Sequence, residues 1–406
     1  MKKIALISLV ASSVLMAGGY KIPETSLNAV ALSAANIAHN KSADAAYYNP
    51  ANMVFMTNKN HVEADLMYIG LSKVKFEGTI STVPQDIESE SETFLVPSLH
   101  YVSGDVSGAR FGLSVTVPGG LSKRWKNSLA TYSAEEFTLE TIELNPTIAL
   151  PIGDKVGVAV GIRVVHSSGV VKATGTHPTY GAYSQDMEGD SIDFGYNLAL
   201  AYKPTSDLEL GLTYRSQIDL TEDGDAYLSM PGAGVTADTY GASVTVPLPA
   251  SLSMAIAYTF PTKTTVEFVY ERNYWSAYED LNFNYNNPYA EGAFGISKPK
   301  DWKDTSAFRL GVTQEYDKMI IMAGIVYDET PVPDSSVGFE LPDSDSLSVS
   351  LGGRYKIDEK MDVGVSALYS MRDDRSIAAA NSDAGLDGEF TDSNVLLVSV
   401  GMGYKF

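Results

Sequence analysis

Arginine and lysine supply the most pointed chemistry in this chain. Arg163, Arg215 and Arg309 each fall on the polar side of a segment in which apolar and polar residues alternate, and Lys303 stands in Trp302-Lys303-Asp304-Thr305 at the edge of another. A cation so placed either holds an acidic ligand or pairs with a neighbouring carboxylate, as Arg163 could with Glu143. Other chemistry is hard to find. His39, His61, His100, His166 and His177 have no metal-ligand spacing. There is no glycine-rich phosphate loop, serine elbow or zinc-binding helix motif, so neither an enzyme nor a cofactor is expected. The acidic runs Asp343-Ser344-Asp345-Ser346 and Asp373-Asp374-Arg375 read as solvated loop faces, with a bound divalent cation as the alternative. A formal net charge of −21 disfavours a nucleic-acid partner, because phosphate binding needs a basic face.

The elements that must position those cations are strands. In Leu208–Arg215 the residues Leu208, Leu210, Leu212 and Tyr214 share one face, and Glu209, Gly211, Thr213 and Arg215 share the other. Segments 251–260, 361–371 and 398–406 repeat the pattern. Tyr202, Tyr214, Tyr258, Tyr270, Tyr327, Tyr355, Tyr369 and Tyr404 recur near the ends of the apolar faces, as in the aromatic girdles of outer-membrane barrels. Connections alternate between short ones, such as 151–155, 203–207 and 356–360, and long polar ones, such as 174–190, 221–248 and 276–303. Strands are predicted at 62–76, 94–102, 110–118, 137–150, 156–173, 191–202, 208–220, 249–259, 265–275, 304–315, 319–328, 346–355, 361–371 and 394–406.

Fourteen strands with both ends on the short-turn side describe an all-β fold: a transmembrane antiparallel 14-stranded β-barrel over 62–406. Closure pairs every sheet edge, which lipid demands because an unpaired backbone group there costs several kcal/mol. Met1-Lys2-Lys3 and the apolar run Ile4 to Ala17 read as a signal peptide over 1–17. With no cysteine in the chain, stability must come from hydrogen bonding and packing. Residues 18–61 lack strand alternation and carry little charge. A barrel of this width leaves a lumen that its own side chains do not fill, so this segment is expected to fold inside as an N-terminal hatch.

At this point several blocks resemble one family. AGGYKIPETS and SADAAYYNPANM, with Asn49-Pro50-Ala51, are similar to the hatch of FadL-type outer-membrane long-chain fatty acid transporters. The likeness continues through PGGLSKRW, GDSIDFGYNLALAYKPTSDLELGLTYRSQI, VPLPASLSMAIAYTF, WKDTSAFRLGV and GIVYDETPVPDSSVGFELPDSDSLSVSLGGRY to the C-terminal YKF. The resemblance implies a plugged barrel in the outer membrane of a Gram-negative bacterium, working passively. A hydrophobic ligand passes from outer loops to an internal pocket, the hatch rearranges, and a kink in the third strand opens a lateral exit into the membrane. The expected partners are long-chain fatty acids or other hydrophobic small molecules, and outer-membrane lipids such as lipopolysaccharide, around a monomer.

Residue by residue, the resemblance makes Tyr20 a hatch aromatic near the ligand and Asn49, Pro50 and Ala51 a gating turn. Pro118, Gly119 and Gly120 fall where the lateral exit belongs, and their types interrupt ladder pairing. Lys303 is the first candidate for a ligand carboxylate; Lys172, roughly where the family has a basic residue close to its pocket, and Arg309 are the others. Counting from Val156 turns Lys172 outward unless a bulge intervenes, and leaves Gly169 and Val171 facing the pocket. Aromatic or alkane hydrocarbons are the alternative cargo; a general porin or a barrel-anchored adhesin is the alternative of another kind.

Overall fold

The computed structural model describes residues 18–406, and the expected signal peptide over 1–17 lies outside the described residues. Fourteen strands form the wall: β1 (His61–Leu71), β2 (Glu92–Val102), β3 (Arg110–Thr116), β4 (Glu136–Ile152), β5 (Val156–His177), β6 (Gly181–Tyr202) and β7 (Leu208–Arg215), then β8 (Ser251–Thr259), β9 (Thr264–Asn273), β10 (Thr305–Glu315), β11 (Met319–Asp328), β12 (Ser346–Lys356), β13 (Met361–Arg372) and β14 (Val395–Lys405). Each is antiparallel to its neighbours. β1 pairs with both β2 and β14, from His61↔Lys405 to Leu71↔Val395, and the ring is closed.

Alternation separates two solvents. Along β7, Glu209, Gly211 and Thr213 are buried inside while the leucines point out. Phe194 is 68% exposed and Leu351 63%, values that suit a hydrocarbon surround and would be costly in water. Inward charges are paired. Arg163 meets Glu143 at 2.9 Å, the pairing expected from strand parity, and Arg215 bonds the same carboxylate. Paired burial is the condition for keeping such charges, since an isolated ion in this setting costs several kcal/mol.

Several boundaries differ from the sequence reading. β1 ends at Leu71, and Lys75–Ile80 joins Val83–Glu88, Arg375–Ile377 and Leu386–Thr391 in a small separate sheet. The polar stretches at 174–190 and 221–248 are not irregular loops. The first lengthens β5 and β6, and the second belongs to a hairpin of Ile218–Met230 with Val235–Leu248 standing on the long-loop end. Backbone pairing of polar residues beyond the bilayer satisfies their donors as well as water does, which the composition alone does not reveal.

Residues 18–56 run through the ring from the long-loop end to the short-turn end. Ser26 caps the helix Leu27–Ala31, accepting from the Ala29 amide. Buried Asp44 then gathers the segment: Ser26, Asn28 and Asn36 all donate to its Oδ2 at 2.7–3.2 Å. Wall residues hold it in turn. The amides of Ile37, Ala38 and His39 donate to Glu267, and Arg354 donates to Asn28 at 2.6 Å. Close approach depends on absent side chains. A Cβ on Gly157 would overlap the Ala51 carbonyl, and one on Gly324 would overlap the backbone at Leu32.

Candidate functional site

At the long-loop end the lumen opens into a cavity of about 610 Å³. Its walls come from separate elements: Leu121 from the chain after β3, Phe137 and Leu139 from β4, Gly169 and Val171 from β5, and Val244 and Val246 from the outer hairpin. The loop before β10 adds Tyr278, Leu281, Phe283 and Trp302, and the loop after β11 adds Val332 and Leu341. Tyr20 closes the remaining side. Its ring lies 5.7 Å from Trp302 and 4.8 Å from Trp275, and its hydroxyl donates to the Pro247 carbonyl at 2.5 Å. Gly19, at φ +77°, makes this possible; a Cβ there would strike the Trp275 ring at 2.7 Å.

The cavity holds few charges. Lys300 and Glu340 form an ion pair at 2.6 Å, and although burial pushes the Glu340 carboxyl up, the Lys300 ammonium outweighs it and holds the group below its ordinary value. Glu222 is the remaining charged residue of the lining, and it is 5% exposed.

Beside the cavity the wall is interrupted. β3 pairs with β2 only from Leu99↔Val115 to Val102↔Gly112. Its chain resumes as Gly120–Arg124 on β4, where Thr116↔Glu143 and Gly120↔Glu140 leave three residues, Val117 to Gly119, opposite two. This is a bulge, and it draws the strand away from β2. The strand meets the chain before β2 again at Ser89↔Trp125, with Glu90 N donating to the Arg124 carbonyl at 2.9 Å. Between these points the N-terminal segment supplies the missing partner. Ile22 N donates to the Pro118 carbonyl at 2.9 Å, and Gly120 N donates to the Tyr20 carbonyl at 2.7 Å. Tyr20 therefore borders the cavity with its ring and the wall interruption with its backbone.

Of the residues singled out in the sequence, Tyr20, Gly169 and Val171 meet on the cavity wall, and Pro118, Gly119 and Gly120 form the interruption beside it. Asn49, Pro50 and Ala51 lie far below, at the short-turn end. Asn49 Nδ2 donates to the Ile37 carbonyl at 2.9 Å and its Oδ1 accepts from Ala51 N, while Pro50 starts the short helix Pro50–Phe55. The three cations are placed otherwise than the cavity role requires. Lys303 is exposed, with Lys300 lining the cavity instead; the loop's irregular path defeats a count from the strand edge. Lys172 faces outward as parity demands and sits near Asp186 at 3.3 Å. Arg309 is buried beneath, donating to the Ser33 carbonyl and bonding Glu24 and Glu271.

Lys300, Glu340 and Glu222 escaped the sequence reading. For Glu222 a signal exists: Ile218, Leu220, Glu222, Ala226, Leu228 and Met230 share the buried face of one strand, and the glutamate is its sole charge.

The sequence matches the family described as outer membrane protein transport protein (OMPP1/FadL/TodX) over residues 8–406. A long-chain fatty acid transport protein of Escherichia coli O6:H1 is 25% identical over 363 residues, 79% of this chain and 79% of that one. A FadL homologue of Pseudomonas aeruginosa superposes with a TM-score of 0.84 at 19% identity, covering 95% of this chain and 99% of that one. The Pseudomonas putida toluene transporter TodX superposes at 0.72 and 16% identity, with coverages of 95% and 99%.

Proposed function

This chain belongs to the OMPP1/FadL/TodX family of outer-membrane proteins that transport hydrophobic compounds, and from that premise we propose passive uptake of long-chain fatty acids through a hatch-closed barrel with a lateral exit. Residues 18–61 act as the hatch and 62–406 as the barrel, a monomer among outer-membrane lipids that include lipopolysaccharide. Cargo enters the apolar cavity from the long-loop end. It displaces Tyr20, and with that residue go the backbone bonds at Pro118 and Gly120. The interruption between β2 and β3 then opens sideways to lipid.

One observation carries this reading: a single residue, Tyr20, lines the cavity and supplies a backbone bond at the wall interruption. The energetics agree. Each methylene kept out of water is worth about 0.8 kcal/mol, so an alkyl chain passing sideways into lipid avoids a cost that a water-filled bore would impose. The Asn49-Pro50-Ala51 turn anchors the lower hatch, so that movement above does not release the whole segment.

A second cargo, aromatic hydrocarbons, draws support from the cavity's one cation, Lys300, being engaged by Glu340, and from the toluene transporter among the similar structures. Labelled oleate and toluene, supplied to cells lacking other routes, separate the two. Oleate uptake should rise several-fold on expression. Toluene uptake rising alone would shift the cargo, and a large steady conductance in planar bilayers would point to an open porin.

A further inference from the structure

Among the described residues, Glu222 is the one charged side chain of the cavity lining that forms no ion pair. Its Oε1 is buried and makes no hydrogen bond among the described residues, and Ser167 is the hydrogen-bonding neighbour of the carboxyl. The opposite strand is shaped to it: a Cβ on Gly169 would overlap Glu222 Oε2. The carboxyl also borders a smaller space of about 280 Å³, between Met187, Val244 and Phe283. The groups facing it are mostly acidic or neutral. Asp190 and Asp193 come from β6, Glu188 lines the smaller space, and Tyr20, Tyr278 and the Lys300–Glu340 pair lie around the main cavity. Burial, reinforced by Asp190 and Asp193, pushes the Glu222 carboxyl up to about 7 despite Ser167.

We propose that Glu222 selects the polar end of the cargo: the cavity takes long-chain molecules whose headgroup is uncharged, an undissociated acid or an alcohol, and turns away the carboxylate anion. This rests on the cavity being the cargo receptacle. A protonated Glu222 and a protonated fatty acid can exchange hydrogen bonds as two neutral carboxyls. An ionised Glu222 facing a carboxylate brings two like charges together in surroundings that screen them poorly. The free Oε1 is the atom that a neutral donor headgroup would satisfy.

The test uses the full-length mature protein in nanodiscs, with quenching of Trp302 and its neighbour Trp275 by dibrominated stearic acid or the matching alcohol. Between about pH 6 and about pH 8.5 the wild-type affinity for the acid should fall at least tenfold, and that for the alcohol by less than about threefold. In the isosteric E222Q variant, affinity for the acid should be about tenfold higher than wild type at the upper pH and within about threefold at the lower. Equal binding of the acid by wild type and E222Q at the upper pH would overturn the role of Glu222. So would a wild-type affinity for the acid that does not fall with pH. Absence of quenching by either lipid at any pH would instead remove the cavity as receptacle, a separate failure.

Discussion

At the short-turn end of the lumen, the N-terminal segment is fastened to the wall by Glu267, by Arg354 and by the bond from Asn49 Nδ2 to the Leu200 carbonyl, and it is packed against glycines. At the long-loop end, the same segment contributes Tyr20 to an apolar space of about 610 Å³ with little polar lining. One end is dense, polar and cross-linked; the other is open and greasy. The contrast sets which part of the segment would cost less to shift. Shifting the lower part breaks many buried hydrogen bonds at about 1 kcal/mol each, whereas shifting Tyr20 breaks few and exposes a ring that an apolar ligand can replace.

The contrast can be broken at its junction first. Deleting Pro118 removes the extra residue opposite β4 and lets β3 run on beside β2; uptake should fall more than about tenfold while ligand binding to purified protein changes less than about threefold. Equal losses of binding and uptake would count against a separate exit. Next comes the fastened end. Replacing Asn49 and Pro50 with alanine, beside the native Ala51, should leave a heat-modifiable, folded barrel but lower uptake by about tenfold, as several hydrogen bonds are lost; unchanged uptake would remove the turn from any part in uptake. The smallest effect belongs to the greasy end's rim. Lys303→Met and Lys172→Met, both off the cavity wall, should change oleate uptake by less than about twofold, as is usual for exposed charges. A large loss in either would mean that cargo is held outside the cavity.

Much of the wall was legible because lipid and lumen impose opposite demands on alternate residues. That same parity paired Arg163 with Glu143 and turned Gly169 and Val171 toward the cavity, with Lys172 outward. Pro118, Gly119 and Gly120 announced an interrupted strand by type alone. What covers that interruption was not legible, since Tyr20 and Ile22 lie about a hundred residues earlier in the chain, and no local pattern joins them to it. The outer hairpin of Ile218–Met230 was hidden by its acidic composition. Lys300 was missed in favour of Lys303 because the loop before β10 has no period from which a direction can be counted.

The pairing of the first strand with the last also orders assembly. β1 finds one of its two partners only in the final residues of the chain, from Val395 to Lys405. Contacts so distant in sequence are slow to form. The cylinder therefore stays unsealed until that pairing forms, and seating residues 18–56 before it does avoids passing them through a wall that is afterwards continuous apart from the seam at β3.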